Sequence, residues 1–350
     1  MKKHLLLAIL LPLAGFLLAG CSAITGDAQI DEGVVIAPKY KLRSSPAQVA
    51  LDLVEVKRGD RLEILEQVQF PKPTRIEEWY KVRTKSSNSV TGWIETRYVV
   101  NKSIIEKIEA LNQKAKDTPA QGTGRLKVQT RLRLEPGGDV VTYLSRNTPV
   151  EIVGNARTTF KPEKQPGDEE AGEITEEPEA RTVLWYQVRL PDSEVIRGGW
   201  VGAQQVQLEV PDEILHLEGD GRRFTGWVVL DQTRTRKGEE KNNYIGLMKS
   251  YSTEGPIDFT RLWVLMYSPD SGRYTGPYIE DGLRGILPIT FTTTSSGRKG
   301  FTFNELDENG KPVPVEYEVA RRGAERIEVK RLSPKIYVKK SRRAAARKRG

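Results

Sequence analysis

The chain has 350 residues, 37% of them apolar and 29% charged, with 6 Trp, 12 Tyr and 8 Phe. That is core-forming material for two or three ordinary domains, and it excludes a wholly disordered chain. The formal charge of +8 is local: Lys2 and Lys3 carry two of those charges and Lys339 to Arg349 carry seven with no acid, so the body between them stands near −1. One cysteine and two histidines, His4 and His216, leave no intrachain disulfide, no His/Cys zinc site and no Cys/His dyad to assemble. No metal or cofactor is called for.

Taken in chain order, the first twenty residues place Lys2 and Lys3 before an apolar run from Leu5 to Gly20, broken only by Pro12. Those sixteen residues fall short of the roughly 20 that span a bilayer, so residues 1–20 read as a signal peptide. Leu18, Ala19, Gly20 and Cys21 resemble the lipobox of bacterial lipoproteins. The resemblance implies that Cys21 becomes the lipidated first residue of the mature chain, with acyl chains enough for stable membrane anchoring. It further implies, from Ser22 rather than Asp after the cysteine, an outer-membrane location facing the periplasm. The alternative is an uncleaved N-terminal anchor.

Residues 21–33, polar and small, read as a tether. From Val34 the pattern turns to short alternating runs, "YKLR", "RLEILEQV", "EWYKVRT" and "TGWIE", bounded by turn residues, which predict about five short strands through residue 101. The same order of blocks returns between 124 and 210. "LRSSP" (Leu42 to Pro46) matches "LRLEP" (Leu132 to Pro136), and "LEIL" (Leu62 to Leu65) matches "VEIV" (Val150 to Val153). "WYKVR" (Trp79 to Arg83) matches "WYQVR" (Trp185 to Arg189), and "GWI" at Gly92 matches "GWV" at Gly199. The offset grows before the second WY because of an insertion, residues 158–181, with eight carboxylates and three prolines. A segment of that composition cannot bury itself and predicts a loop.

Four blocks repeated in order predict a duplication. Each copy resembles the bacterial SH3 domain, a small five-stranded barrel of envelope proteins that usually stands beside a wall hydrolase. The resemblance covers Val34 to Val100 and Arg125 to Val210. It is looser in the second copy, where Leu134 and Glu135 replace two serines and Asn147 to Pro149 stand at the place of Gly59 to Arg61.

Between the copies, residues 102–123 predict a helical linker, with Ser103 and Glu106 as a capping box and Ile104, Ile108 and Leu111 on one face. Residues 211–338 hold seven or more strand candidates, with "DENGKP" (Asp307 to Pro312) and "ARRGAE" (Ala320 to Glu325) as hairpin turns. They predict an antiparallel meander, barrel or sandwich, of no recognised family. The expected fold class is therefore all-β: two small SH3-like barrels joined by a short helix, an antiparallel β domain, and a basic tail from 339 to 350.

Catalytic patterns are sparse. "SGRK" (Ser296 to Lys299) has the SxxK spacing of penicillin-binding enzymes but lies in a Gly-bounded turn without its partner motifs. The acids of "EGDG" (Glu218 to Gly221) are explained by turn chemistry, and no GxGxxG or Walker loop occurs. Recognition remains. Alternation puts Trp79, Lys81 and Arg83 on one strand face and Tyr80 and Val82 on the other, so one aromatic of each WY pair leaves the core. Trp79, Tyr98, Trp185 and Tyr186 are the candidate lining of an aromatic groove flanked by cations. Trp93 and Trp200 are expected to close the barrels.

The tail cations Lys339, Lys340, Arg342, Arg343, Arg347, Lys348 and Arg349 suit anionic lipid or lipopolysaccharide rather than nucleic acid, given export. The expected function is a non-catalytic lipid-anchored envelope protein binding peptidoglycan or envelope peptides. The alternatives are an assembly subunit of an envelope complex, or a ligand carrier acting through the C-terminal domain.

Overall fold

The computed structural model describes residues 28–47, 49–71, 76–160, 180–191, 193, 195–253, 255–322 and 326–336. The expected lipidation site Cys21, most of the acidic insertion and the basic tail lie outside them.

The first sheet holds β1 (Asp31–Val35), β2 (Lys39–Arg43), β3 (Asp52–Lys57), β4 (Arg61–Pro71), β5 (Ile76–Thr84), β6 (Thr91–Glu95) and β7 (Val99–Asn101). They pair antiparallel in the order β3-β2-β6-β5-β4-β1-β7. Helix α1 (Lys102–Lys114) follows. The second sheet holds β8 (Thr123–Leu126), β9 (Thr130–Arg133), β10 (Val140–Leu144), β11 (Pro149–Phe160), β12 (Arg181–Arg189), β13 (Gly198–Gly202) and β14 (Val206–Leu208). Its order, β10-β9-β13-β12-β11-β8-β14, is that of the first sheet displaced by seven strands. Each sheet curls into an antiparallel half-barrel around its own apolar interior.

The duplication extends to register. Val82 faces Ile64 and Val188 faces Ile152, and both sheets carry a bulge at the next step along the strand. Inward positions stay apolar: Leu42 and Leu132, Ile64 and Ile152, Val82 and Val188, Ile94 and Val201 are all essentially without exposure. Even the loose part of the match keeps its geometry, because Asn147 adopts the positive φ of Gly59, and asparagine tolerates that conformation better than most residues.

Three expectations are corrected here. The tether ends earlier than Gly33, since β1 begins at Asp31; a Cβ at Gly33 would meet Val99 Cγ1 at 2.4 Å, so this glycine serves packing rather than flexibility. The capping box does not form, because α1 starts at Lys102 with Asn101 as its cap and no side-chain cap bond. Trp93 and Trp200 do not fill the interiors; Ile94 and Val201, one residue on, do so, and the tryptophans take the outer face.

In chain order β7, the last strand of the first half-barrel, and α1 lead to the second half-barrel. Val99 points into the first core and Val100 into the second. Ile108, with Ile104 and Ile105, packs on the second core, while Arg189 donates to the carbonyls of Ala115 and Thr118 at 3.1 and 3.2 Å beyond the helix end.

After the short helix α2 (Asp212–Leu215), the third sheet runs as a meander of successive hairpins: β15 (Arg222–Arg234), β16 (Glu240–Ser250), β17 (Phe259–Ser268), β18 (Arg273–Thr293), β19 (Lys299–Leu306), β20 (Pro312–Arg322) and β21 (Arg326–Arg331). It is one sheet, not two stacked ones. Val228 on β15 and Ile327 on β21 share a single core, and Arg321 on β20 reaches Asp231 and Thr233 on β15. The outer face of β15 to β17, with Phe224, Trp227 and Tyr244, is covered by Ile214 of α2 and Leu208 of β14.

Gln121 ties the second sheet to the third. It is fully buried; its amide donates to Pro119 and Ile289 carbonyls at 2.7 and 2.9 Å, and its side-chain oxygen accepts from Ile289 N at 2.7 Å. Its backbone bonds Ile152 on β11 and Trp227 on β15. Replacing it with alanine strands buried donors and acceptors that each cost about 1 to 3 kcal/mol. Gln121→Ala is expected to lose about 3 kcal/mol in urea unfolding.

Candidate functional site

In each WY pair the tyrosine turns inward and the tryptophan outward. Tyr80 belongs to the first core and Tyr186 packs on the second. On the outer faces an arginine from the neighbouring LR block lies over each indole, Arg43 over Trp79 and Arg133 over Trp185, both 5.8 Å from the ring centroid. The repeated pair is a cation–π contact, worth about 0.5 to 1 kcal/mol at exposed sites.

The two tryptophans differ in access. Trp79 is only 3% exposed and its indole N–H has no partner among the described residues. Trp185 is half-buried and donates to Thr158 Oγ1 at 2.9 Å. The strand residue opposite each one accounts for part of this. Trp79 faces Glu95, whereas Trp185 faces Gly202. With no side chain at 202, a groove of about 360 Å³ opens beside Trp185, lined by Arg131, Arg133, Tyr143 and Gln204.

Tyr143 is 53% exposed and sits directly opposite Arg131 in the β9–β10 hairpin. Together with Gln129 it also lines a larger cleft of about 860 Å³ that runs to the first sheet and to Tyr98. Tyr98 is set there by its 3₁₀ turn, its ring tilted against Tyr40 with centroids 4.9 Å apart and with Arg97 over it at 4.8 Å. Trp185 and Tyr98 therefore mark the two ends of adjoining clefts that meet at Tyr143.

The other candidates lie apart. Trp79 is buried in the first sheet. Tyr186 lines a separate cleft between the second and third sheets, beside Arg223. Burial, followed by the charge of Asp258, raises its phenol pKa above the ordinary value and keeps it neutral. Asp258 itself is paired with Arg157 and accepts from Leu287 N at 2.9 Å.

Ser296 and Lys299 do not form a catalytic pair. Ser296 and Arg298 donate to Glu318, while Lys299 turns to the Leu230 carbonyl and over the Phe291 ring. The SxxK spacing presupposes a helical turn; here the residues sit in a β-hairpin.

Sequence reading missed Tyr143 and Arg131. Carrying the repeat alignment through the hairpin would have found them: Tyr143 occupies the position of Glu55, and Arg131 that of Lys41. Among the described residues no group of three or more His, Cys, Asp or Glu converges as a metal site, and no helix is long and apolar enough to cross a membrane. No protein-family model matches the chain, and no curated protein is similar to it.

Two outcomes follow from these placements. Trp79→Ala empties a packed position and is expected to cost about 3 to 5 kcal/mol, whereas Tyr143→Ala, at the surface, changes stability by less than about 1 kcal/mol; urea melts of both variants separate the roles. Glu318 is held below the ordinary carboxylate pKa of 4.5 by the Ser296 and Arg298 donors. A depressed carboxylate stabilises the fold above its unfolded pKa and loses that contribution as pH falls through its folded one. Glu318→Gln should thus melt earlier than the parent at pH 7, with the gap closing on acidification below about pH 4.5.

Proposed function

We propose that this chain is a non-catalytic, lipid-anchored protein of a bacterial envelope that binds peptidoglycan through its tandem SH3-like half-barrels. The carrying observation is the groove at Trp185, where an accessible indole, an exposed tyrosine and two arginines face outward together. An aromatic face gives area for sugar or apolar peptide surface, and guanidinium groups pair carboxylates. The clefts lie on the two copies of a wall-associated pattern.

The lipobox resemblance at Leu18 to Cys21 supports anchoring at a membrane, and Ser22 the outer one. Tethering there would hold the groove within reach of the wall, and the cations from Lys339 to Arg349 would add attraction to anionic headgroups. A binding role is further supported by the engagement of Ser296 with Glu318 and of Lys299 with a backbone carbonyl, which leaves the SxxK residues unassembled.

Co-sedimentation of the mature protein with purified sacculi tests the reading. The parent protein is expected in the pellet, and Trp185→Ala is expected to lower apparent affinity about tenfold, the equivalent of about 1.4 kcal/mol of stacking and cation–π contact. A protein that stays in the supernatant at every sacculus concentration overturns wall binding.

A further inference from the structure

The two half-barrels present corresponding outer faces whose charges are paired differently. Because their registers coincide, each position on one has a counterpart on the other. In the first, Lys41 pairs with Asp52 at 3.1 Å and Lys39 with Glu55 at 3.7 Å, while Arg97 pairs with Glu95 at 2.7 Å. In the second, the positions of those three acids are held by Val140, Tyr143 and Gly202. The cations do not disappear in step. Lys39 and Arg97 give way to Gln129 and Gln204, but Lys41 becomes Arg131 and Arg43 becomes Arg133.

At these positions the second face therefore has two guanidinium groups and no acid. Among the described residues Arg131 has no carboxylate partner, and Arg133 donates only to the Gly138 carbonyl while lying over Trp185. The two arginines are two residues apart on one strand, so they share a face at a spacing of about 6.7 Å. Arginine presents paired N–H donors that match a carboxylate.

We infer that the Trp185 groove is a carboxylate-binding site for an acidic peptide, and that the first half-barrel is the same site already filled by its own acids. The inference rests on the binding role proposed above and names its ligand: a peptide whose carboxylates take the places that Asp52 and Glu95 take in the first copy. A peptide is favoured over a free anion by β10, an edge strand whose other side has no strand partner among the described residues. An extended chain can lie along that edge and pair with its backbone while its carboxylates reach Arg131 and Arg133.

The test is isothermal titration of the mature protein with two probes. One is the disaccharide peptide released from sacculi by muramidase, the other a synthetic acidic tetrapeptide; each is used with free and with amidated carboxylates. One site per chain is expected, weakened tenfold or more by amidation. Val140→Asp, which restores the internal partner of Arg131 at an exposed position, and Arg131→Gln are expected to weaken binding by at least as much. Both should leave the thermal melt unchanged. Equal affinity for amidated probes, no effect of Val140→Asp, or displacement by inorganic phosphate as effective as by the free-carboxylate peptide overturns the carboxylate site. Amidation-sensitive binding of the tetrapeptide without sedimentation on sacculi retains the site and removes the wall reading. Sedimentation without sensitivity to amidation does the reverse.

Discussion

The arrangement of the second and third sheets depends on one buried glutamine. A polar side chain removed from water costs free energy unless every donor and acceptor finds a partner. Gln121 meets that demand only at one place, where β11, β15 and β18 come together. Its amide completes the backbone of Ile289 from outside, much as a strand neighbour would, and its own backbone continues pairing with Ile152 and Trp227. Sliding one sheet past the other would strand all of these groups at once. The pair of partly buried Arg157 with buried Asp258 adds a second tie across the same junction. Aspartate 258 is itself spoken for, through Leu287 N and through Thr225 Oγ1 to its carbonyl. The position of α2 and the cover over Trp227 follow from that junction.

Duplication explains how two faces so alike in geometry came to differ in charge. Inward residues of a small curled sheet are constrained by volume, so Leu42 and Leu132 or Ile64 and Ile152 stay alike. Outward residues of the same strands are constrained only by solubility and by what they touch. A charge pair such as Lys41 with Asp52, more than half exposed on each side, contributes at most about 1 kcal/mol, so its loss is tolerated by the fold. The second copy could therefore exchange Asp52 for Val140 and Glu95 for Gly202 without disturbing register, and the exchange opens both space and unbalanced charge beside an indole.

The repeat, the all-β class and the seven strands of the third sheet were legible in the sequence because period-2 alternation and turn residues carry them directly; each half-barrel has seven strands where about five were expected, since short pairings such as β1 and β7 leave too few residues to show a period. The pattern also showed that one aromatic of each WY pair leaves the core, but not which, since Trp and Tyr are equally apolar on such a reading. Access to Trp185 and its denial to Trp79 depend on cross-strand neighbours, Gly202 against Glu95, and cross-strand pairing is a property of register rather than of local sequence. Gly33 was misread for a related reason: composition marks a glycine as flexible, while its close approach to Val99 becomes visible only once β7 is in place. The role of Gln121 had no local signal, because Ile289, which its side chain both donates to and accepts from, is 168 residues away.

The third sheet shows what charge looks like when it serves the fold alone. Arg331 on β21 is almost completely buried and is bonded to Glu280 on β18 at 3.0 Å and Glu305 on β19 at 2.7 Å. Tyr317 and Tyr278 donate to the same Glu280, at 2.9 and 2.6 Å, and burial holds the Tyr317 phenol protonated by raising its pKa. A buried cluster of this kind is tolerated because each carboxylate oxygen and each guanidinium N–H has a partner; removing one member would leave an uncompensated charge. The cluster fixes the last strand against the meander. The outer face of the second half-barrel is the opposite case: its guanidinium groups are presented to solvent beside an aromatic wall, and their obvious internal partners have been replaced. Saturated charge serves architecture in the third sheet, whereas at Arg131 and Arg133 the inferred ligand's carboxylates would complete the set.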